Sequence, residues 1–214
     1  MQRTKSKPPP EAEAETRHAE SAGSYALQHH MGIAEAGKLA ALRGDYAEAL
    51  RHYREALRLS QASRAPEVFF RHYTQCVLEA LECSGAHEPV IEFCERADAH
   101  YTAQGAPLAV QQRDHATILE RLGVNLACAG HTKPARLALE RACALSTSQA
   151  PLKVAETLLA WLQRGLAIEQ RRLRDLQRRH DYFTVRPGKV SAERATPLPK
   201  SRGPAPRKEA TGLP

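Results

Sequence analysis

The sequence predicts an all-α chain of about three stacked helical hairpins followed by a long C-terminal capping helix. Three observations carry this expectation. A glycine is followed three times by a small or β-branched residue five positions on, a bulky one nine on and alanine twelve on. The sets are Gly44, Ala49, Tyr53, Ala56; Gly85, Val90, Cys94, Ala97; and Gly130, Ala135, Leu139, Ala142. A fixed internal period of this kind marks a stacked-repeat architecture. Pro66, Pro107 and Pro151 repeat at 41 and 44 residues while the glycines repeat at 41 and 45, so two markers share one period. Between them run apolar stripes at steps of three and four, the helical spacing.

Each unit reads as helix, glycine turn, helix. In the second unit Phe69, Phe70, Tyr73, Cys76, Val77, Ala80 and Leu81 form the stripe; in the third, Ile118, Leu119, Leu122, Gly123 and Leu126. Gly44, Gly85 and Gly130 stand where a helix must end in a left-handed residue, which glycine adopts without a Cβ penalty. Asp45 with Glu48, and Thr132 before Pro134, are start signals for the following helices. The prolines suit a first helical position, where a missing N–H costs nothing. Ala49, Ala56, Ala97, Ala135 and Ala142 mark places where paired helices approach closely.

From Pro151 onward the apolar side of a further helix carries Val154, Leu158, Leu159, Trp161, Leu162 and Leu166. No glycine turn stands near 170–174, so one helix is expected to run on to about residue 182, with Trp161 sealing the core. Residues 1–22 lack the apolar content to drive burial and read as a disordered arm. Residues 23–183 read as the helical repeat domain. Residues 184–214, with six prolines, read as a basic, flexible tail.

The clearest unit, residues 119–145, and its match at 37–59 resemble the tetratricopeptide repeat. Leu122-Gly123 stands seven residues ahead of Gly130, as Gly37 does ahead of Gly44. The middle unit departs, with Leu78 in place of that glycine, Val90 in place of an alanine and Cys94 in place of an aromatic. The period is longer than the 34 residues usual in that family, which leaves a HEAT-like reading open. The resemblance implies a right-handed superhelix whose first helices line a concave groove, and a function in holding protein partners. Chaperone-binding members of the family clamp a terminal carboxylate with Lys, Asn and Arg. The matching positions here are Ala34, Lys38, Gln75, Glu79 and Glu120, so that clamp is absent.

The chain carries a formal charge of +7, but residues 1–150 hold 17 Lys/Arg against 18 Asp/Glu, and residues 151–214 hold 14 against 6. The positive charge thus belongs to the C-terminal third. The five cysteines form no CxxC pair, and Cys76, Cys94 and Cys143 fall on apolar stripes. No phosphate-cradling loop, nucleophile elbow or zinc-binding helix motif occurs. These features point away from an enzyme and imply no metal and no cofactor. With no secretory signal and no membrane span, the setting expected is the cytoplasm.

The function expected is that of a non-catalytic scaffold or adaptor holding a protein or peptide in the groove. Lys38, Gln75, Glu79, Glu82, Glu120 and Arg121 are the candidate contacts, and their acidic bias suits a basic partner, the chain's own tail included. The alternative is a nucleic-acid-associated protein acting through Arg171, Arg172, Arg178 and Arg179. A catalytic module would require a deep polar pocket of converging titratable groups.

Overall fold

The computed structural model describes residues 27–105, 108–147 and 150–199. It is all-α: α1 (27–42), α2 (Tyr46–Ala62), α3 (Glu67–Ser84), α4 (His87–Gln104), α5 (Ala109–Cys128), α6 (Thr132–Leu145), α7 (Lys153–Gln163) and α8 (Gln170–Arg179). The only β pairing among the described residues is an isolated bridge between Thr147 and Ala150. Helices adjacent in sequence pack on one another from α2 to α8. No helix of the described residues is long and apolar enough to cross a membrane.

The glycine turns share one geometry. Gly44, Gly85 and Gly130 have φ of 81°, 84° and 86°. At each, the residue after the glycine donates back into the last helical turn: Asp45 N to Ala40 O at 3.0 Å, Ala86 N to Leu81 O at 3.0 Å, His131 N to Leu126 O at 2.8 Å. This pairing satisfies carbonyls that the helix end would otherwise leave orphaned. Asp45 caps α2 by accepting from Glu48 N at 3.1 Å, while the Glu48 carboxylate turns to Arg51. Pro66 precedes α3 and Pro151 stands two residues before α7, so these prolines introduce the helices from outside. Pro107 lies outside the described residues. His131, not Thr132, occupies the cap position of α6.

Hairpins close where a side chain is missing. A Cβ on Gly37 would stand 2.7 Å from the Tyr53 ring, and one on Gly123 would stand 2.5 Å from Leu139 Cγ. Both pairs sit seven residues before and nine after their turn glycine. In the middle unit these positions hold Leu78 and Cys94, both buried in the main core. The large residue has changed helices and the small one has taken its place, which conserves volume across the interface. The departure noted in the sequence is thus a reciprocal exchange.

The main core runs through α3 to α8, and the first hairpin with α3 holds two smaller clusters. Every residue of α5 from Ile118 to Ala127 is buried. Ala49, Ala56, Ala135 and Ala142 are fully buried and Ala97 half-buried, while Phe70, expected in the stripe, is exposed. All five cysteines are free.

Two expectations are corrected. The capping helix is not continuous to residue 182. Gly165 (φ 67°) makes the same turn as the other three, with Leu166 N donating to Trp161 O at 3.0 Å. The chain then reverses into α8, which lays Leu173 and Leu176 on the core beside the buried Trp161. The expected flexible tail is also an ordered feature as far as it is described. Residues 182–199 cross back over the helices, making one short 3-10 turn at Ala192–Arg194. The remaining 200–214, like the arm expected at 1–22, lie outside the described residues.

Candidate functional site: a helix face that holds an extended segment

Glu79 and Glu82 come from the second half of α3, Glu120, Arg121 and Asn125 from α5, and Glu35 and Lys38 from α1. On α3 the carboxylates lie on the side turned away from the apolar stripe, so the sequence places them on an open face. The structure places them under cover: Glu79, Glu82, Glu120 and Arg121 are each less than 8% exposed. What covers them is the chain's own C-terminal portion.

Glu82 is the hub. Its carboxylate accepts from Asn125 Nδ2 at 3.1 Å, Gln177 Nε2 at 2.6 Å and Tyr182 Oη at 3.1 Å. Three donors on three elements leave its charge well solvated by protein dipoles, as a buried carboxylate requires. Glu79 accepts the main-chain N–H groups of Thr184 and Val185, one on each oxygen, with Arg121 Nη2 3.7 Å away. The Arg121 guanidinium also lies over the Tyr182 ring, 5.2 Å from its centroid.

The strap, residues 182–198, continues to α1 and α2 by the same device. Ser191 N donates to Glu35 Oε2 at 2.7 Å, Thr196 N to Gly32 O at 2.9 Å and Leu198 N to His52 Nε2 at 3.0 Å. His52 accepts through Nε2 because its other ring nitrogen, Nδ1, donates to Glu48 O at 2.9 Å. Burial pushes the Glu35 carboxyl up, but the Lys38 ammonium at 2.8 Å and the Ser191 N–H outweigh it and hold it below its ordinary value. Val185 and Leu198 set their side chains against the apolar clusters of the first hairpin. Gly32 makes the approach possible: a Cβ there would stand 2.4 Å from Thr196 Oγ1 and 2.8 Å from Arg194 O.

The six expected contacts therefore divide. Glu79, Glu82 and Arg121 form one cluster and are occupied by the strap. Lys38 supports Glu35, which in turn accepts from Ser191 N of the strap. Glu120 turns to α7, where Oε1 accepts from Ala155 N at 2.8 Å and serves as a cap for that helix. Burial pushes its carboxyl up to about 7. Gln75 is half-buried and lines two depressions, one of about 380 Å³ beside the strap and one of about 500 Å³ between α3 and α5. The basic residues Arg171, Arg172, Arg178 and Arg179 are all exposed on α8, with Arg172 stacked 4.2 Å over the Trp161 ring.

Sequence reasoning missed His52, Gly32, Asn125 and Gln177. A lone glycine inside a helical stripe, away from any turn, was the available signal for Gly32, since it marks a close backbone approach. The others are polar residues within helices whose partners lie on distant elements, and spacing does not report them. Among the described residues no group of three or more His, Cys, Asp or Glu is placed to hold a metal ion. No protein-family model, curated protein or solved structure matches this chain.

Proposed function

We propose that this chain is a non-catalytic scaffold of tetratricopeptide-like hairpins that holds an extended protein segment along a groove lined by α1, α3 and α5. The strap occupies that groove until a partner displaces it. One observation carries the reading: the groove carboxylates and His52 accept main-chain N–H groups of the strap at Thr184, Val185, Ser191 and Leu198. Recognition through main-chain N–H groups, with seats for a few side chains, is a general way to hold a peptide. The partner fitted to it is an extended segment with unblocked N–H groups at these spacings and an apolar residue at the position of Leu198, beside Ile33 and Tyr73. Lysines and arginines in that segment suit the acidic lining.

The test uses the full chain and a fluorescent synthetic peptide spanning residues 180–199. Val185→Pro with Leu198→Pro removes two donated N–H groups and loosens the strap without touching the groove. The doubly substituted chain is expected to bind the peptide at micromolar concentration, at least tenfold more tightly than the unaltered chain. Equal, undetectable binding by both would refute the reading.

A second reading rests on the four exposed arginines of α8. A polyanion would bind there with affinity that falls steeply as salt rises. Such binding would be unchanged by Val185→Pro with Leu198→Pro and disappear when Arg171, Arg172, Arg178 and Arg179 are neutralised. The scaffold reading expects the opposite pattern.

A further inference from the structure

A neutral imidazole carries one N–H donor and one bare nitrogen that accepts; a protonated imidazole carries two donors and accepts nothing. On a surface, water absorbs the difference. At His52 it cannot, because the residue is 2% exposed and both ring nitrogens are committed. Nδ1 lies 2.9 Å from the Glu48 carbonyl, which can only accept, so the ring proton belongs there. Nε2 lies 3.0 Å from Leu198 N, which can only donate, so Nε2 must be bare. The strapped form therefore requires the neutral ring. A second proton would set two N–H groups against each other where water is shut out.

Leu198 is a seat worth controlling. Its N–H goes to His52, its carbonyl accepts from Arg51 Nη2 at 3.3 Å, and its side chain packs on the cluster of Ile33, Ala34, Ala56 and Tyr73. Two residues earlier, Thr196 N reaches Gly32 O. The other side chains that accept strap amides, Glu79 and Glu35, are carboxyls, which keep an acceptor oxygen in either protonation state. Among these three acceptors, only the imidazole loses its function by gaining a proton.

The charges around the ring fix the direction of the effect. On α2, Glu48 Oε1 stands 3.4 Å from Nδ1, and its hydrogen bonds to Arg51 hold the Glu48 carboxyl below its ordinary value. That carboxylate favours a second proton on the ring and does nothing for the contact at Nε2. α1 packs on the ring's stem at Gly37, where an added Cβ would stand 3.0 Å from His52 Cβ. It brings Glu35 and Lys38, paired at 2.8 Å, with Arg194 of the strap in the field of Glu35. His30 on α1 and His72 on α3 are both pushed down by burial.

We propose that His52 is a pH-sensitive latch: the neutral ring fastens the strap at Leu198, and the protonated ring lets that end go. The hold is complete in mildly alkaline solution, where histidines are neutral, and weakens on acidification as proton uptake competes with the strap. Its bearing on partners rests on the reading of the strap as the occupant of the groove. A displacing segment that donates an N–H at the same place is held and released by the same proton.

The test uses the full chain with no peptide present, so it succeeds or fails apart from the peptide-binding reading. Amide hydrogen exchange is followed by nuclear magnetic resonance at pH 8 and about pH 5.5, with rates corrected for their intrinsic pH dependence. Protection of Leu198 and Thr196 is expected to fall about tenfold or more at the lower pH, as loss of a buried hydrogen bond implies. Long-range nitrogen-15 spectra of the ring should place its proton on Nδ1 at pH 8. His52→Gln supplies a neutral acceptor that cannot charge, and should leave both amides equally protected at the two pH values. Leu198→Pro removes the donated N–H, and should leave Thr196 weakly protected at both. Glu120, whose carboxyl is raised to about 7, also titrates in this window, but both variants retain it together with His30 and His72. Equal protection at the two pH values in the unaltered chain would overturn the latch. So would a ring proton on Nε2 at pH 8, or a pH dependence that persists in either variant.

Discussion

Gly130 and Gly123 stand seven residues apart and reject side chains for different reasons. At Gly130 a Cβ would meet nothing within 4 Å, but φ is 86°. Gly130→Val should therefore cost about 1–3 kcal/mol through backbone strain alone. At Gly123 the backbone is helical and the obstacle is Leu139. Gly123→Ala should cost about 1–3 kcal/mol by overpacking. A double-mutant cycle in urea separates the two: Leu139→Ala should relieve Gly123→Ala and leave the cost of Gly130→Val unchanged. Glu120 supplies a pH test. Its folded-state carboxyl is raised from 4.5 to about 7, so its contribution to stability is complete below about 4.5 and declines as pH rises through 7. Glu120→Gln keeps an acceptor for Ala155 N and removes the titration. It should raise stability by about 2–3 kcal/mol at pH 8, with the gain vanishing near pH 4, read from urea midpoints across that range.

Among the elements, the strap depends on one helical glycine. Gly32→Ala should favour α1 by about 1 kcal/mol in intrinsic propensity yet push Thr196 and Arg194 off the helix. Hydrogen exchange is expected to show the amides of Ser191, Thr196 and Leu198 losing protection while helical circular dichroism is retained; persistent protection would mean the strap adjusts. How much could be foreseen differs between elements. The turns at Gly44, Gly85 and Gly130, the buried alanines and the stripe of α5 were legible because local backbone chemistry and period determine them. The α7–α8 break was not, although the glycine was in view. Gly165 follows Gly130 by 35 residues rather than the 41 and 45 seen earlier, and the stretch beyond it, rich in Leu, Gln and Arg with no further glycine or proline before Pro187, looks helical. The strap was hidden for another reason. Its order comes from acceptors on α1, α2 and α3 more than a hundred residues away, and a proline-rich basic composition is the same whether or not such acceptors exist. The acidic face was readable in Glu79, Glu82 and Glu120; that its first two members receive amides and the third caps α7 is decided by tertiary contacts.

For the molecule as a whole, the strap joins the last hairpin to the first, with partners as far apart in sequence as Gly32 and Thr196. A linear array whose units touch only their neighbours loses structure gradually from its ends. A tie between the ends should couple them. The unaltered chain is expected to unfold with coincident transitions in far-ultraviolet circular dichroism and in Trp161 fluorescence. With Val185→Pro and Leu198→Pro in place, helix loss from α1 and α2 should precede the fluorescence change that reports α7. The hydrogen bonds of the strap carry a last consequence. Its contacts with Glu79, Glu35 and His52 are made by amides that every residue except proline possesses. Most side chains between Thr184 and Leu198 could therefore drift over evolutionary time without unfastening the clasp, so that the guest's spelling changes while its grammar is kept.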